Sequence, residues 1–276
     1  MAVSLDRARG FVYSNGVLWE RALFAYLFDG GPLEHVHRCL MAYKNPDGGF
    51  GHGLEHDLKC PDSNALQVEY LLTILRDTGL PPGDLFDGTV AWLEQNREAD
   101  GSLKNPATLK KYPLAPWWAE WGGQSTPDSI TGNLIKLGLC SPSLAASTQK
   151  WVLENLTLEK IRANQWLFMA YHAHDYFMNV TDFPNLTELR QATIENIIAC
   201  AEAAREKQYF VLFQFAPSPD APLASLLPEA LVRRNLDYLM ESQRDDGGWD
   251  DEHGLRHWQP YMSMVALCAL KNWGRL

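Results

Sequence analysis

Three short segments with the same glycine-centred turn pattern recur along the chain, each between two apolar stretches. They occupy residues 45–50 (NPDGGF), 97–103 (READGSL) and 243–249 (QRDDGGW). Gly101 follows Gly48 by 53 positions and Gly247 follows it by 199, which is close to four steps of about 50 residues. This spacing predicts a chain built from similar units, each made of a helix, a turn and a second helix.

The chemistry of the turn explains why its residues recur. A glycine ends a helix at low cost because it enters the left-handed region without steric strain. An aspartate directly before it hydrogen-bonds the turn backbone. We expect the apolar residue that follows, such as Phe50 or Trp249, to fold back over the hairpin and become buried.

Apolar residues elsewhere follow helical spacing, as in the stripe of Leu66, Tyr70, Leu71 and Ile74, and strand-like alternation is nearly absent. The number of predicted helices indicates five or six helical hairpins in one all-α domain that spans residues 1–276. The eleven predicted helices lie near residues 17–28, 33–43, 63–77, 85–96, 126–138, 143–155, 159–177, 187–206, 209–215, 224–242 and 258–272.

Composition excludes several classes of protein. The net charge of −10 disfavours a nucleic-acid binder that works by neutralising phosphates. The longest apolar runs are far shorter than the roughly 20 residues that span a bilayer, and residues 1–11 do not resemble a signal peptide. The five widely spaced cysteines contain no CxxC pair, which favours a reduced, cytoplasmic protein. The sequence leaves the oligomeric state open.

All eight histidines occur in close pairs, and two of these pairs belong to a repeated HGLxH motif. His52 and His56 follow the first turn, and His253 and His257 follow the last. Since histidines two or four residues apart can share a metal, these four predict a divalent site, such as one for zinc. The alternative is that they cap helices, bond turn carbonyls and hold the two ends of the fold together.

These turns resemble those of the α/α-toroid superfamily, which includes terpene cyclases and the β subunits of protein prenyltransferases. Gln243, Gly247 and Trp249 are similar to the QW repeat of squalene–hopene-type cyclases, and residues 47–51 (DGGFG) are similar to a prenyltransferase turn. The other copies depart from the pattern, with Lys44 at the expected glutamine. The resemblance implies a ring of inner helices around a central cavity, with outer helices behind.

The catalytic signatures of that superfamily are missing from this sequence. It contains neither the DxDD string that protonates alkenes nor the DDxxD string that holds magnesium and diphosphate. Its nearest match to the prenyltransferase zinc pair, Asp57 with Cys60, has one residue too many. The resemblance therefore predicts the fold more strongly than it predicts the chemistry.

Several polar residues near predicted helix starts are candidates for acid–base work. Asp57 and Asp62 flank one such start, beside His56, and we predict that they and His257 are catalytic. Asp128 begins another helix and is predicted to bind substrate. A carboxylate at a helix N-terminus also caps the helix, so this structural role stays open for each aspartate.

Two further segments leave a site and a packing role open. Residues 172–176 (HAHDY) are placed at the end of a predicted helix, where His172 and His174 either complement the helix dipole or belong to a site. Trp117, Trp118 and Trp121 form the densest aromatic segment, within a long connection. They predict either a wall that binds substrate or a small core that packs this connection.

These observations predict a terpene cyclase-like or prenyltransferase-like enzyme. It would act by acid–base chemistry in a central cavity on an apolar small molecule, for which an isoprenoid is one candidate. One alternative is a glycan hydrolase or lyase of the helical-barrel type, which uses paired carboxylates. Another is a toroid without catalytic activity that binds a ligand or serves as a scaffold.

Overall fold

A computed structural model describes residues 3–119 and 124–276 of the chain. It is 58% helix and 3% strand, which confirms the all-α prediction. Within the described residues, no helix combines the length and the apolar character needed to cross a bilayer.

The helices and the single pair of short strands found in the described residues follow the chain in this order. The α-helices are α1 (Leu5–Asn15), α2 (Leu18–Phe28), α3 (Leu33–Met41), α4 (Ala65–Thr78), α5 (Thr89–Gln95), α6 (Pro116–Ala119), α7 (Asp128–Lys136), α8 (Pro142–Asn155), α9 (Leu158–Ala163), α10 (Tyr171–Phe177), α11 (Leu186–Ala203), α12 (Leu212–Phe215), α13 (Glu229–Glu241) and α14 (Gln259–Asn272). Short 3-10 helices lie at Leu109–Lys111, Phe168–Ala170, Glu206–Val211 and Ala224–Leu226. Strands β1 (Leu103–Lys104) and β2 (Gln124–Ser125) pair antiparallel, with Leu103 opposite Ser125.

The chain divides into two compact units. The first unit comprises the described residues of Met1–Cys39 with Asn164–Ala170 and Ile194–Leu276. The second unit comprises the described residues of Leu40–Ala163 with Tyr171–Thr193. The prediction of one domain over residues 1–276, and of a toroid, stays a prediction.

The helices differ from the predicted ones in several places, including α6, which the prediction lacks, and α13, which begins at Glu229 rather than near residue 224. Helix α1 is missing from the prediction, although Ser4 caps it by accepting a hydrogen bond from the Arg7 amide. The predicted helix 159–177 is interrupted, because the Asn164 side chain accepts a bond from the Trp166 amide and donates one to Asn196. This local bonding competes with the helical ladder, and helix α10 begins only at Tyr171.

The three repeat turns have the same conformation, with the predicted left-handed glycine and aspartate bond. The prediction that the glycine ends the helix is wrong, because α3, α5 and α13 end six or seven residues earlier, at Met41, Gln95 and Glu241. Gly48, Gly101 and Gly247 have φ values of 92°, 93° and 94°. In each turn the carboxylate of the aspartate before the glycine accepts a hydrogen bond from the backbone amide of the residue after the glycine. The three distances are 2.9, 2.9 and 3.1 Å. The residues after the turns, Phe50 and Trp249, are buried as expected.

A long side chain four positions before each turn glycine fastens the turn to another segment of the chain. Gln243 accepts a bond from the Ser4 amide at 2.8 Å and donates to the Ser4 carbonyl at 2.9 Å. Lys44 donates to the Leu85 carbonyl at 2.7 Å, and Arg97 donates to the Ser143 carbonyl at 3.0 Å. The departures from glutamine therefore keep the interaction, since any long donor can make it.

Three helices are buried over most of their length, namely α4 and α7 in the second unit and α14 in the first. Helix α7 packs against α4, α8 and α10. Its Gly132 meets α10 at backbone distance, because a Cβ atom there would lie 1.9 Å from the Asp175 carbonyl oxygen. A glycine at this position brings the polar first turns of α7 and α10 together.

We expect Gly132→Ala to destabilise the protein by about 3 kcal/mol, because the new methyl group must force α7 and α10 apart. Urea unfolding measures this loss. Gly10→Ala is the matched control, since Gly10 lies within a helix and no atom comes within 4 Å of the place that a Cβ would take. Alanine there should instead stabilise the helix by roughly 0.5–1 kcal/mol. Equal effects of the two substitutions would contradict the packing argument.

We expect Gln243→Ala to lower the free energy of unfolding by about 1–2 kcal/mol, since it removes both bonds to Ser4 at the start of α1. Gln149→Ala is the control, because the bond that Gln149 donates to the Asp182 carbonyl is exposed and long, at 3.4 Å. That control should change stability by less than about 0.5 kcal/mol. Urea unfolding of both variants checks the difference.

Candidate functional site

The strongest cluster of ionisable side chains in the second unit lies where α4, α7 and α10 meet. Glu69 comes from α4, Asp128 is the first residue of α7, and His172 is the second residue of α10. Each belongs to a buried or tightly packed helix, so the three helices fix the positions of the polar groups.

Asp128 and His172 form a buried ion pair. Their Oδ2 and Nδ1 atoms are 2.8 Å apart, and the side chains are only 1% and 12% exposed. Burial disfavours the charge on His172, but the Asp128 carboxylate outweighs this and raises the pKa of His172 to about 9. Burial also opposes the charge on Asp128, yet His172 holds the pKa of that carboxyl below its usual value.

Glu69 differs from Asp128 because its environment favours the protonated form. Burial raises the pKa of Glu69 to about 7, and the negative charges of Asp128 and Asp175 act in the same direction. The positive charge of His172 and a hydrogen bond with Tyr171 only partly oppose this rise. Near neutral pH this carboxyl can therefore give or take a proton.

A second layer of polar groups holds α10 in place. The Oδ2 atom of Asp175 accepts bonds from Arg76 at 2.9 Å, from Ser129 at 2.8 Å and from Asn133 at 2.8 Å. Burial opposes the charge on Asp175, but Arg76, His174 (whose Nδ1 lies 3.0 Å from Oδ1) and Asn133 depress its pKa far below the usual value. Arg76 also donates to Asp77 at 2.9 Å. Asp175 thus links α10 to both α4 and α7.

Two carboxylate oxygens of the cluster lack a hydrogen-bond donor among the described residues. These buried atoms are Oε1 of Glu69 and Oδ1 of Asp128. Leaving a buried acceptor without a donor costs roughly 1–3 kcal/mol, so most such groups in proteins are satisfied. Acceptors of this kind are satisfied by a donor from outside the chain, either an ordered water molecule or a ligand.

The loop before α4 carries three of the predicted catalytic residues. His56 and Asp57 are buried, and the ring of His56 lies 6.2 Å from that of Tyr70. The Asp57 amide donates to the Glu55 carboxylate at 3.0 Å, within the loop. Asp62 is exposed and accepts a bond from the Thr108 hydroxyl. These two bonds stabilise the loop, and a catalytic role for any of the three residues stays a prediction.

The histidines of the two HGLxH loops have different surroundings. His52 is exposed and its Nε2 lies 2.9 Å from the Asn45 side chain. His253 and His257 are exposed in the first unit, where the Asp251 carboxylate accepts bonds from the amides of His253 and Leu255. No group of three or more His, Cys, Asp or Glu side chains suited to a metal ion occurs in the described part of the chain. The zinc site stays a prediction.

The tryptophans that were predicted to line a substrate-binding wall have different surroundings. Trp118 packs against a small apolar cluster formed by Leu58, Leu66 and Leu109, which favours the packing role for this residue. Trp117 is 43% exposed. Trp121 lies outside the described residues.

The described part of the first unit contains two cavities, and one of them is lined in part by a predicted metal ligand, His253. One of about 80 Å³ is lined mainly by apolar side chains, including Phe210, Trp249 and Met262. The other is an open cleft of about 670 Å³ whose lining includes Lys207, Glu252 and His253. We prefer the Glu69–Asp128–His172 cluster as the candidate site because its chemistry is rigidly positioned, whereas the charged lining of the cleft is partly exposed.

Sequence reasoning identified Asp128 and left His172 open, but it missed Glu69. The signal for Glu69 was a single carboxylate within the apolar run of α4, beside Tyr70 and Leu71. Placing His172 at the end of a helix was wrong, because α10 begins one residue before it. Its proximity to Asp128, 44 positions earlier, depends on tertiary packing.

Comparisons with known proteins identify no family for this chain. No family model matches the sequence, and the search of curated proteins finds no match. The resemblance to the α/α-toroid superfamily therefore depends on the turn motifs and their spacing alone.

The stability of the Asp128–His172 pair should depend on pH. Because the folded-state pKa of His172 lies above its usual value, the ion pair stabilises the protein fully below about pH 6.5 and loses this effect as pH rises through about 9. We expect wild-type protein to lose about 2–3 kcal/mol more than His172→Gln between pH 7 and pH 10. Urea unfolding at both pH values measures the difference, and the imidazole NMR signals follow the titration directly. Parallel pH profiles would contradict the prediction.

Proposed function

We propose that this protein is an enzyme that transfers a proton to or from a small molecule bound at Glu69, Asp128 and His172. The observation that carries this proposal is the pair of buried carboxylate oxygens, Glu69 Oε1 and Asp128 Oδ1, that accept no hydrogen bond from the described residues. A bound molecule would supply the missing donors.

The three side chains suit different roles. Glu69 exists in both protonation states near neutral pH, which is the condition for an efficient general acid or base. Asp128 and His172 remain charged at this pH, so they orient a substrate and stabilise charge that develops on it. Asp175 positions α10 and has no direct role in the reaction.

The substrate class and the wider fold follow from the family resemblance. We propose that buried helices such as α4, α7 and α14 form the inner ring of an α/α toroid and that the substrate is an apolar, isoprenoid-like molecule. A carboxyl with a pKa near 7 is suited to protonating an oxygen or nitrogen atom rather than a carbon–carbon double bond. This fits a chain that lacks the DxDD acid.

A glycan-acting enzyme is the second candidate. It is favoured by the presence of two carboxyl groups in one cluster, one that readily binds a proton and one that stays ionised, as in many glycoside hydrolases. The third candidate is a toroid that binds a ligand without catalysis. In that case the cluster should bind a ligand but convert none.

The experiment asks which class of molecule the protein converts. Purified protein is incubated with farnesol or geranylgeraniol, and separately with a series of p-nitrophenyl glycosides, and products are analysed by mass spectrometry. We expect conversion of the alcohols to alkenes: Glu69 protonates the hydroxyl group, which leaves as water, and the Glu69 carboxylate then takes a proton from a neighbouring carbon. Glu69→Gln should lower the rate by about 100-fold or more, since it removes the acid–base group and keeps the shape.

Glu20→Gln is the control for this substitution. Glu20 is also buried, but it lies in the first unit and accepts a bond from the Val17 amide, a role that glutamine can keep. Its activity should equal that of the wild type. Equal rates for Glu69→Gln and wild type would exclude Glu69 as the acid–base group, and conversion of glycosides alone would establish the second candidate.

A further inference from the structure

The candidate site contains more carboxylates than cations. Four acidic side chains, Glu69, Asp77, Asp128 and Asp175, lie there with three basic ones, Arg76, His172 and His174, and His174 pairs with Asp175 at 3.0 Å. Arg76 is shared between Asp77 and Asp175, and His172 is paired with Asp128. Burial first of all, and then the negative charges of Asp128 and Asp175, raise the pKa of Glu69 and favour its protonated form.

A ligand that relieves the excess of negative charge would bind beside the two acceptors that lack donors. Asp128 is only 1% exposed and is ionised, yet its Oδ1 atom has no donor among the described residues. The Oε1 atom of Glu69 also lacks a donor there. The two carboxyl groups are close enough for the charge of Asp128 to raise the pKa of Glu69. A ligand group at this place must donate hydrogen bonds, and a positive charge on it would be stabilised.

We infer that the ligand of this site carries a protonated amine, which donates hydrogen bonds to Glu69 and Asp128. This inference rests on the proposed function for the site itself and adds the chemical class of the one polar group that an otherwise apolar ligand would carry. A hydrocarbon would leave both acceptors without donors. A hydroxyl group would supply a donor but would leave the excess negative charge uncompensated.

An ammonium group also forms stronger bonds than a hydroxyl group here. A hydroxyl group also donates a charge-assisted bond to a carboxylate, but an ammonium group adds the attraction of opposite charges, which we expect to raise the affinity roughly tenfold. The ring of Tyr171 lies against that of His172, with centroids 4.0 Å apart, so the site also presents an aromatic surface beside the carboxylates.

Amine binding should release a proton from Glu69. The groups that act on Glu69 are Asp128, His172, Asp175 and Tyr171, together with Glu55 in the loop before α4. Burial raises the pKa of Glu55 well above its usual value, and it also raises the pKa of Tyr171, which therefore stays neutral near pH 7. A cation beside Glu69 favours its ionised form, and binding at pH 7 should release about half a proton per molecule of amine bound.

Three probes of similar shape test the inference, namely benzylamine, benzyl alcohol and toluene. Isothermal titration calorimetry at pH 7, in two buffers with different ionisation enthalpies, gives both the affinity and the number of protons released. We expect benzylamine to bind about tenfold more tightly than benzyl alcohol, with toluene weaker still. We also expect the affinity for benzylamine to increase between pH 6 and pH 8, as Glu69 ionises.

Two variants and one control locate the binding. Glu69→Gln should abolish proton release and weaken benzylamine binding by about tenfold or more, and Asp128→Asn should also weaken it. Glu20→Gln should bind as the wild type does. If Asp128→Asn unfolds, the isosteric Glu69→Gln variant still decides the question, and thermal unfolding verifies that it is folded.

The outcomes separate this inference from the proposed function. Stronger binding of benzyl alcohol or toluene than of benzylamine, or no binding of any probe, would overturn the amine assignment. If Glu69→Gln still loses activity in that case, the acid–base proposal stands without the amine. Amine binding with proton release, in a protein that converts no substrate, would support the amine assignment and contradict the proposed catalysis.

Discussion

The approach of α10 to α7 at Gly132 is the constraint on which the candidate site depends. The two helices touch at backbone distance because position 132 has no side chain. This contact places His172 against Asp128 and lets Ser129, Asn133 and Arg76 converge on Asp175. Charged groups that would be unstable alone in a protein interior are then stabilised by one another.

The same packing gives the two neighbouring carboxyl groups opposite behaviour. Asp128 has a cation at 2.8 Å and stays ionised, whereas burial and the surrounding negative charge favour a proton on Glu69. A difference of this kind allows one site to contain both an ionised group and a proton donor at the same pH. It follows from position alone, since both side chains carry the same functional group.

The sequence allowed the helical class and the turn chemistry to be predicted because both are local. Gly48, Gly101 and Gly247 have the expected left-handed conformation, and Phe50 and Trp249 are buried. The site was only partly predictable. Asp128 was singled out from its place at a helix start, but its pairing with His172 and its proximity to Glu69 depend on contacts between helices that no spacing in the sequence reveals.

The hydrogen bonds that attach the repeat turns to other segments affect how the sequence of such a chain can evolve. Gln243, Lys44 and Arg97 make the same kind of bond from the same place in the turn. The codons for glutamine, lysine and arginine interconvert by single base changes. Each repeat can therefore exchange this residue without passing through one that breaks the bond, and the fold can persist while its sequence signature is lost.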